Sequence, residues 1–256
     1  MRIRNAVSVA APVAAALALA SSASASPAIG GAARPQVLGS NAASHSGIPN
    51  PFFAGWAVAG GDGRFTETAT IVLPKLKCGK AQQAIDPDVG TDINANSSAD
   101  SAGVFVGCVG GKARYFPAFT VEGTFKNFPK LKAKAGDKVV LKEVINTARP
   151  GKLSVVDKTT KSASKTVTIP AVTDTDHPWV GDDAWSKNGG MTLWPVPHFG
   201  TITFSHTRFL GEQMRKFFPH HEMAAFDRYK SPSTLQIKTG KWASDLETFK
   251  TVFHHS

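Results

Sequence analysis

Apolar and polar residues alternate with period two along most of the chain beyond residue 53, which is the spacing of half-buried strands rather than of a helix. Phe65–Pro74 (FTETATIVLP) sets Thr and Ala against Phe, Ile and Leu, and Ala113–Glu122 (ARYFPAFTVE) reads as an aromatic strand. Lys138–Thr147, Lys152–Asp157, Lys165–Ile169, Met191–Trp194, Thr201–His206, Thr234–Lys238 and Thr248–Phe253 continue the series. Turn residues separate these runs at Gly110-Gly111, Ala135-Gly136-Asp137, Pro150-Gly151, Asn188-Gly189-Gly190 and Lys238-Thr239-Gly240. Helical periodicity is weak throughout, strongest at Leu210–Phe217. The pattern predicts an all-β chain, an antiparallel two-sheet β-sandwich or a barrel, over residues 53–256.

The two ends of the pattern differ from its middle. Residues 1–25 carry Arg2 and Arg4, an Ala-rich apolar run, and an A-x-A ending at Ala25, the layout of a secretory signal peptide. Residues 26–52 are small and rich in Gly, Pro, Ala and Ser, as in a flexible lead. Export delivers a chain to an oxidising compartment, where Cys78 and Cys108 are expected to pair. Closing a loop of that span would stabilise the fold by roughly 3–4 kcal/mol. Two cysteines leave no multi-cysteine metal centre, and beyond the leader no apolar run is long enough for a transmembrane span. A formal charge of +10 makes the chain cationic, and a secreted monomer is the expected state.

Three clusters offer chemistry. Lys126, Lys130, Lys132, Lys134, Lys138 and Lys142 crowd one stretch with Phe125 and Phe128 between them. Such a row either guards an edge strand or tracks an anionic polymer; no nucleic-acid motif accompanies it, so nucleic acid is not the expected partner. Asp174–Asp183 (DTDHPWVGDD) is the densest acidic run, read as a polar loop, a proton-sharing carboxyl pair or a calcium loop. His220-His221-Glu222 and His254-His255 have ligand-type residues, but neighbours on a strand point to opposite faces; no metal set and no cofactor are assigned. There is no G-x-S-x-G, P-loop or H-E-x-x-H signature.

Distributed over residues 53–254, the chain resembles the glutamic peptidases (eqolisins), secreted acid endopeptidases. The resemblance rests on Phe65–Pro74, on Cys108–Phe116 (CVGGKARYF, similar to C-V-N-G-x-A-x-Y-Y), on Gly136–Thr168, and on Trp179–Phe204 with its Phe199-Gly200-Thr201-Ile202-Thr203-Phe204 close. It implies a concanavalin-like jelly-roll sandwich. In that family a Glu is general base toward the attacking water, and a Gln amide orients the water and stabilises the oxyanion. The W-I-V-E-D match puts the Glu on Asp182, followed by Asp183, and the Gln on Ser101. The family's substrate-side Glu falls near Val121, with Glu122 one register away and facing the other side. The candidate catalytic residues are therefore Asp182, Asp183 and Ser101. Phe116, Phe119, Glu122, Trp179, Trp185 and Trp194 are candidates to line a substrate groove. The resemblance implies a non-catalytic or strongly altered relative whose groove binds a polypeptide or polysaccharide. The alternatives are an acid endopeptidase with Asp182 or Asp183 as base and Ser101 assisting the oxyanion, and a cationic protein that binds anionic envelope polymers.

Overall fold

A computed structural model describes residues 47–58, 64–93, 98–173, 175–185, 193–209, 211–213, 223–231 and 233–255. The leader 1–25, most of the lead 26–52 and His220-His221-Glu222 lie outside the described residues. Strands occupy Ile48–Asn50 (β1), Phe53–Val58 (β2), Arg64–Val72 (β3), Gln83–Ile93 (β4), Ser98–Val109 (β5), Lys112–Val121 (β6), Thr124–Asn127 (β7) and Lys138–Asn146 (β8). They continue through Gly151–Asp157 (β9), Lys165–Ile169 (β10), Thr175–Ala184 (β11), Thr201–Phe209 (β12), Glu212–Gln213 (β13), Met223–Ser231 (β14), Thr234–Thr239 (β15) and Phe249–Phe253 (β16). Hydrogen bonds link them in one path, β10-β9-β8-β3-β12-β16-β15-β14-β2-β11-β4-β5-β6-β7, with β1 on β14 and β13 on β12. Pairing is antiparallel except between β1 and β14.

The path folds back on itself into an all-β sandwich. β4 and β5 of one sheet lie across β3, β8 and β9 of the other. Alternation decides which side chains meet between them. Ala69 and Ile71 from β3, Val139, Leu141 and Ile145 from β8, and Leu153 and Val155 from β9 pack against Ile85, Val89, Ala102, Val104 and Val106, all buried. Each such side chain contributes roughly 1.5–3 kcal/mol when removed from water. Cys78 and Cys108 form a disulfide with Cα atoms 5.5 Å apart, Cys108 itself lying in this core.

Two carboxyls interrupt the apolar layer. Glu67 and Glu143 sit directly opposite one another on β3 and β8, on the same inward phase as Ala69 and Leu141, with no side-chain exposure. Among the described residues none hydrogen-bonds to any of their four oxygens. Burial holds both protonated well above the ordinary range, and their mutual repulsion adds to it at Glu143.

Several elements differ from expectation. The acidic run is no loop: from Thr175 it is β11, flanked on both sides by β2 and β4. Lys130, Lys132 and Lys134 occupy the irregular connection between β7 and β8 rather than an extended strand. Of the helix candidate, Gly211 is a turn residue with φ of 81°, and Glu212 and Gln213 pair with Arg208 and Phe209 as strand, because the chain there doubles back on β12; Leu210 and residues 214–217 lie outside the described residues. Leu193 and Trp194 belong to no named strand, and Met191 and Thr192 are not described. Ile48–Asn50, inside the segment read as a lead, pairs with Phe226–Arg228. At the far ends of the path, the Ser162 hydroxyl donates to the Lys132 carbonyl at 2.8 Å, and the Lys165 ammonium lies 4.7 Å from the Phe128 ring centre. These contacts fasten the β10 end to the β7 end.

Candidate functional site

The outer face of the β2-β11-β4-β5-β6 sheet carries most of the candidate chemistry, and pair registers set it out in three rows. The first runs Ala57, Trp179, Gly90, Ser101, Thr120, Phe125. The second runs Gly55, Gly181, Asp88, Gly103, Ala118. In the third, Phe53, Asp183 and Asp86 are neighbours, followed by Phe105 beside Phe116. The second row is almost all glycine and alanine, and its missing side chains make room for large neighbours. The Phe53 ring fills the space where Cβ atoms of Gly55 and Gly181 would stand, and the Asp86 carboxyl covers Gly103.

The same alternation separates the sequence candidates. Asp183 shares the outer face with Ser101, whereas Asp182 projects inward beside the Thr251 hydroxyl, on the phase of Val180 and Ala54. Asp183 and Ser101 do not touch. They are two strands and four positions apart, roughly 13 Å along the strand direction alone. Ser101 is instead the neighbour of Asp88, whose carboxylate also accepts the Trp179 indole N–H at 3.2 Å. Phe116 stacks on Phe105 at 4.5 Å, and Trp185 and Trp194 meet the edges of the Phe105 ring. Phe119 lies an odd number of residues from Phe116 and so points into the inter-sheet core, edge-on to Phe128. Glu122 is exposed at the β6–β7 turn, with φ of 49° and its N–H donated to Asp100.

The site also holds residues not picked out from the sequence. Asp86 lies directly across from Asp183, and Asp88 is one outward position further along. Burial raises both well above the ordinary carboxyl range, and the Asp183 charge raises them further. Burial brings Asp183 itself up to about 7, against the pull of the Arg228 guanidinium. Asp182 rises to about 7 for the same first reason, opposed by Thr251 and Arg228. Arg228 is buried, and burial lowers it to about 10. Pro87 explains how Asp86 is held. A proline in mid-strand has no N–H for the ladder, the β4–β5 register is interrupted beside it, and the Val104 N–H donates to the Asp86 carboxylate. The sequence signal for this cluster is the D-P-D run at residues 86–88, with period-two acids.

Chemically, three carboxyls of raised pKa on one face can hold one proton between two of them, which suits acid–base work or hydrogen bonding to a peptide main chain at low pH. Asp183 is half-buried, while Asp86, Asp88 and Ser101 are covered.

Comparison with known proteins agrees with this architecture. By sequence the chain has no significant match among curated proteins. Its fold is similar to scytalido-glutamic peptidase, solved with a transition state analog inhibitor (TM-score 0.63, 12% identity, 80% of this chain and 99% of that one). It is similar also to SCP-B, a member of the eqolisin family solved in a complex with the tripeptide Ala-Ile-His (TM-score 0.58, 12% identity, 80% and 99%). A third likeness is to aspergilloglutamic peptidase from Aspergillus niger (TM-score 0.51, 15% identity, 67% and 99%). The profile of the Peptidase A4 family matches residues 51–228, and with the sandwich described above it shows that the chain belongs to that family, the glutamic peptidases (eqolisins).

Proposed function

We propose that this is a secreted, strongly altered member of the family that binds polypeptide at acid pH on the aromatic margin of the outer face beside Asp183 and does not cleave it. One observation supports this reading above others: the groups that would do the chemistry are engaged with one another. Ser101 and the Trp179 indole serve Asp88, the Val104 N–H serves Asp86, and Ser101 stands far from Asp183. A peptidase of this type needs a carboxylate and an oxyanion donor converging on one water, with donors about 2.7–3.1 Å from the developing charge. What remains reachable is half-buried Phe116, Phe125, Trp185 and Trp194 beside Asp183, a surface suited to apolar peptide side chains. The test combines tryptophan fluorescence with a cleavage assay on denatured protein at pH 2–4. Saturable quenching by peptides, no quenching by neutral polysaccharide, and no cleavage are expected. Cleavage abolished by Asp183→Asn would replace this reading with that of an acid endopeptidase.

A second reading concerns the opposite side of the molecule. The outward positions of β3, β8, β9, β10, β12 and β16 include Arg64, Lys138, Lys142, Lys152, Arg208 and Lys250 among Thr, Ser and Val, and none is a carboxylate. Such a face fits an anionic envelope polymer. Binding to immobilised polygalacturonate is expected to weaken at least tenfold between 50 and 300 mM salt, as screening predicts, and to be lost in Lys142→Glu/Lys152→Glu. Salt-insensitive binding would refute it.

A further inference from the structure

Next to the carboxyl cluster lies a cavity of about 190 Å³ lined by Pro51, Leu193, Trp194, Pro195, Arg228, Tyr229, Lys230 and Gln236. Its polar side is built by the irregular end of β14. The β14–β15 register shifts between Arg228 and Tyr229 and again before Ser231. Bulges of this kind re-aim successive side chains, so Arg228, Tyr229 and Lys230 all border one cavity instead of alternating between faces. Arg228 is 1% exposed, and its Nε and Nη1 have no hydrogen-bond partner among the described residues. No carboxylate oxygen of the described residues lies within 4.0 Å of it in an ion pair. A buried guanidinium with unmade hydrogen bonds is costly, since it forfeits hydration, offset here only by the attraction of Asp183 and Asp182. A carboxylate in the cavity offsets part of this, because one edge of the guanidinium, Nη2 with either Nε or Nη1, matches it with two parallel hydrogen bonds. The remaining wall, Pro51, Leu193, Trp194 and Pro195, is apolar and fits the side chain of a single residue.

We propose that this cavity is a subsite for a peptide carboxylate, with Arg228 as the anion ligand, Lys230 at the mouth and Trp194 against the adjoining apolar side chain. The subsite adds an anchoring point to the polypeptide face proposed above and rests on that reading for its place beside a peptide, but not for its chemistry. At acid pH, where Asp182 and Asp183 hold protons, the guanidinium lacks nearby countercharge, which favours an incoming anion.

Calorimetric titration at pH 5 tests it with three small probes: N-acetyl-leucine, its primary amide, and N-acetyl-glutamic α-amide, which carries only a side-chain carboxylate. The first is expected to bind at least tenfold more tightly than its amide. The third distinguishes a chain-terminal from a side-chain carboxylate, and binding of either acid supports the site. Arg228→Gln is expected to abolish the preference. Because that variant exchanges a buried residue, Lys230→Gln at the mouth is titrated beside it and is expected to lose part of the affinity while melting as the parent does. Equal affinity of acid and amide for the parent protein, or a Lys230→Gln and a folded Arg228→Gln that both keep the preference, overturns the proposal. If N-acetyl-leucine binds but longer peptides do not, the subsite stands and the polypeptide-face reading fails. If peptides bind equally as acid and amide, the reverse holds.

Discussion

The free energy of unfolding is expected to be greatest near pH 4 and to fall steadily as the pH rises to 7 and beyond. The sign follows from which state holds the protons. Asp182 titrates at about 7 in the fold against an ordinary 3.8, and Asp100 at about 6, both raised first by burial. Between those values the folded chain keeps a proton that the unfolded chain has released, so each increment of pH favours unfolding. At about 1.4 kcal/mol per pKa unit, Asp182 accounts for roughly 4 kcal/mol and Asp100 for roughly 3. Typical domains have only about 5–15 kcal/mol in total, so the loss reaches the scale of the whole fold. Glu67 and Glu143 extend the decline above their ordinary 4.5, since both are also raised. Urea titrations at intervals from pH 4 to 8 measure the slope. Asp182→Asn should remove about 1.4 kcal/mol per pH unit from it between pH 4 and 7, and Glu143→Gln should flatten its upper part. A stability that is level or rising across that range would refute the assignment of protonated carboxyls to the core.

Gly181→Ala and Gly55→Ala are expected to be among the most damaging single-methyl additions available in this chain. A Cβ on Gly181 would lie 2.4 Å from the Ala54 carbonyl oxygen and 2.7 Å from the Gly55 Cα. A Cβ on Gly55 would lie 2.3 Å from the Val180 carbonyl oxygen. These obstacles are backbone atoms of paired central strands, which have no rotamer to move into, so β2 and β11 must separate. Overpacking usually costs about 1–3 kcal/mol, and a loss of 3 kcal/mol or more is expected here. Gly79→Ala, with nothing within 4 Å of the added carbon, is the control and should leave stability unchanged. Equal denaturation midpoints for all three proteins would show that β2 and β11 do not lie so close.

The outer strands of the sandwich were legible because water touches one of their faces. β8 alternates Lys138, Lys142 and partly covered valines with Val139, Leu141 and Ile145, and hydropathy reads this directly. β4 and β5 are covered on both faces and contain AIDPDVGTDI and SADSAGVFVGCV. Gly, Asp, Ser and Pro have poor strand propensity, so the central strands look like loops. They are strands because neighbours on both sides satisfy their backbone groups. The residues that hid the strands are those that make the site: glycines that admit Phe53 and Trp179, and aspartates that stand between them. Family resemblance located the neighbourhood of β11 but not the side of the sheet to which each carboxyl points. That depends on a one-residue register, and one residue exchanges the faces. Glu67 and Glu143 carried a readable signal, each being the single acid on the inward phase of an otherwise apolar strand.

The fastening of Lys132 to Ser162 and of Phe128 to Lys165 has a mechanical consequence. An open ribbon of strands unravels from its ends and recruits foreign strands there, which is how sheet proteins grow into fibrils. Here the connection that follows β7 is held to β10 and to the turn before it, so peeling β10 away must also loosen that connection. The molecule therefore resists unzipping as a clasped ring does, although its backbone is never closed into a barrel.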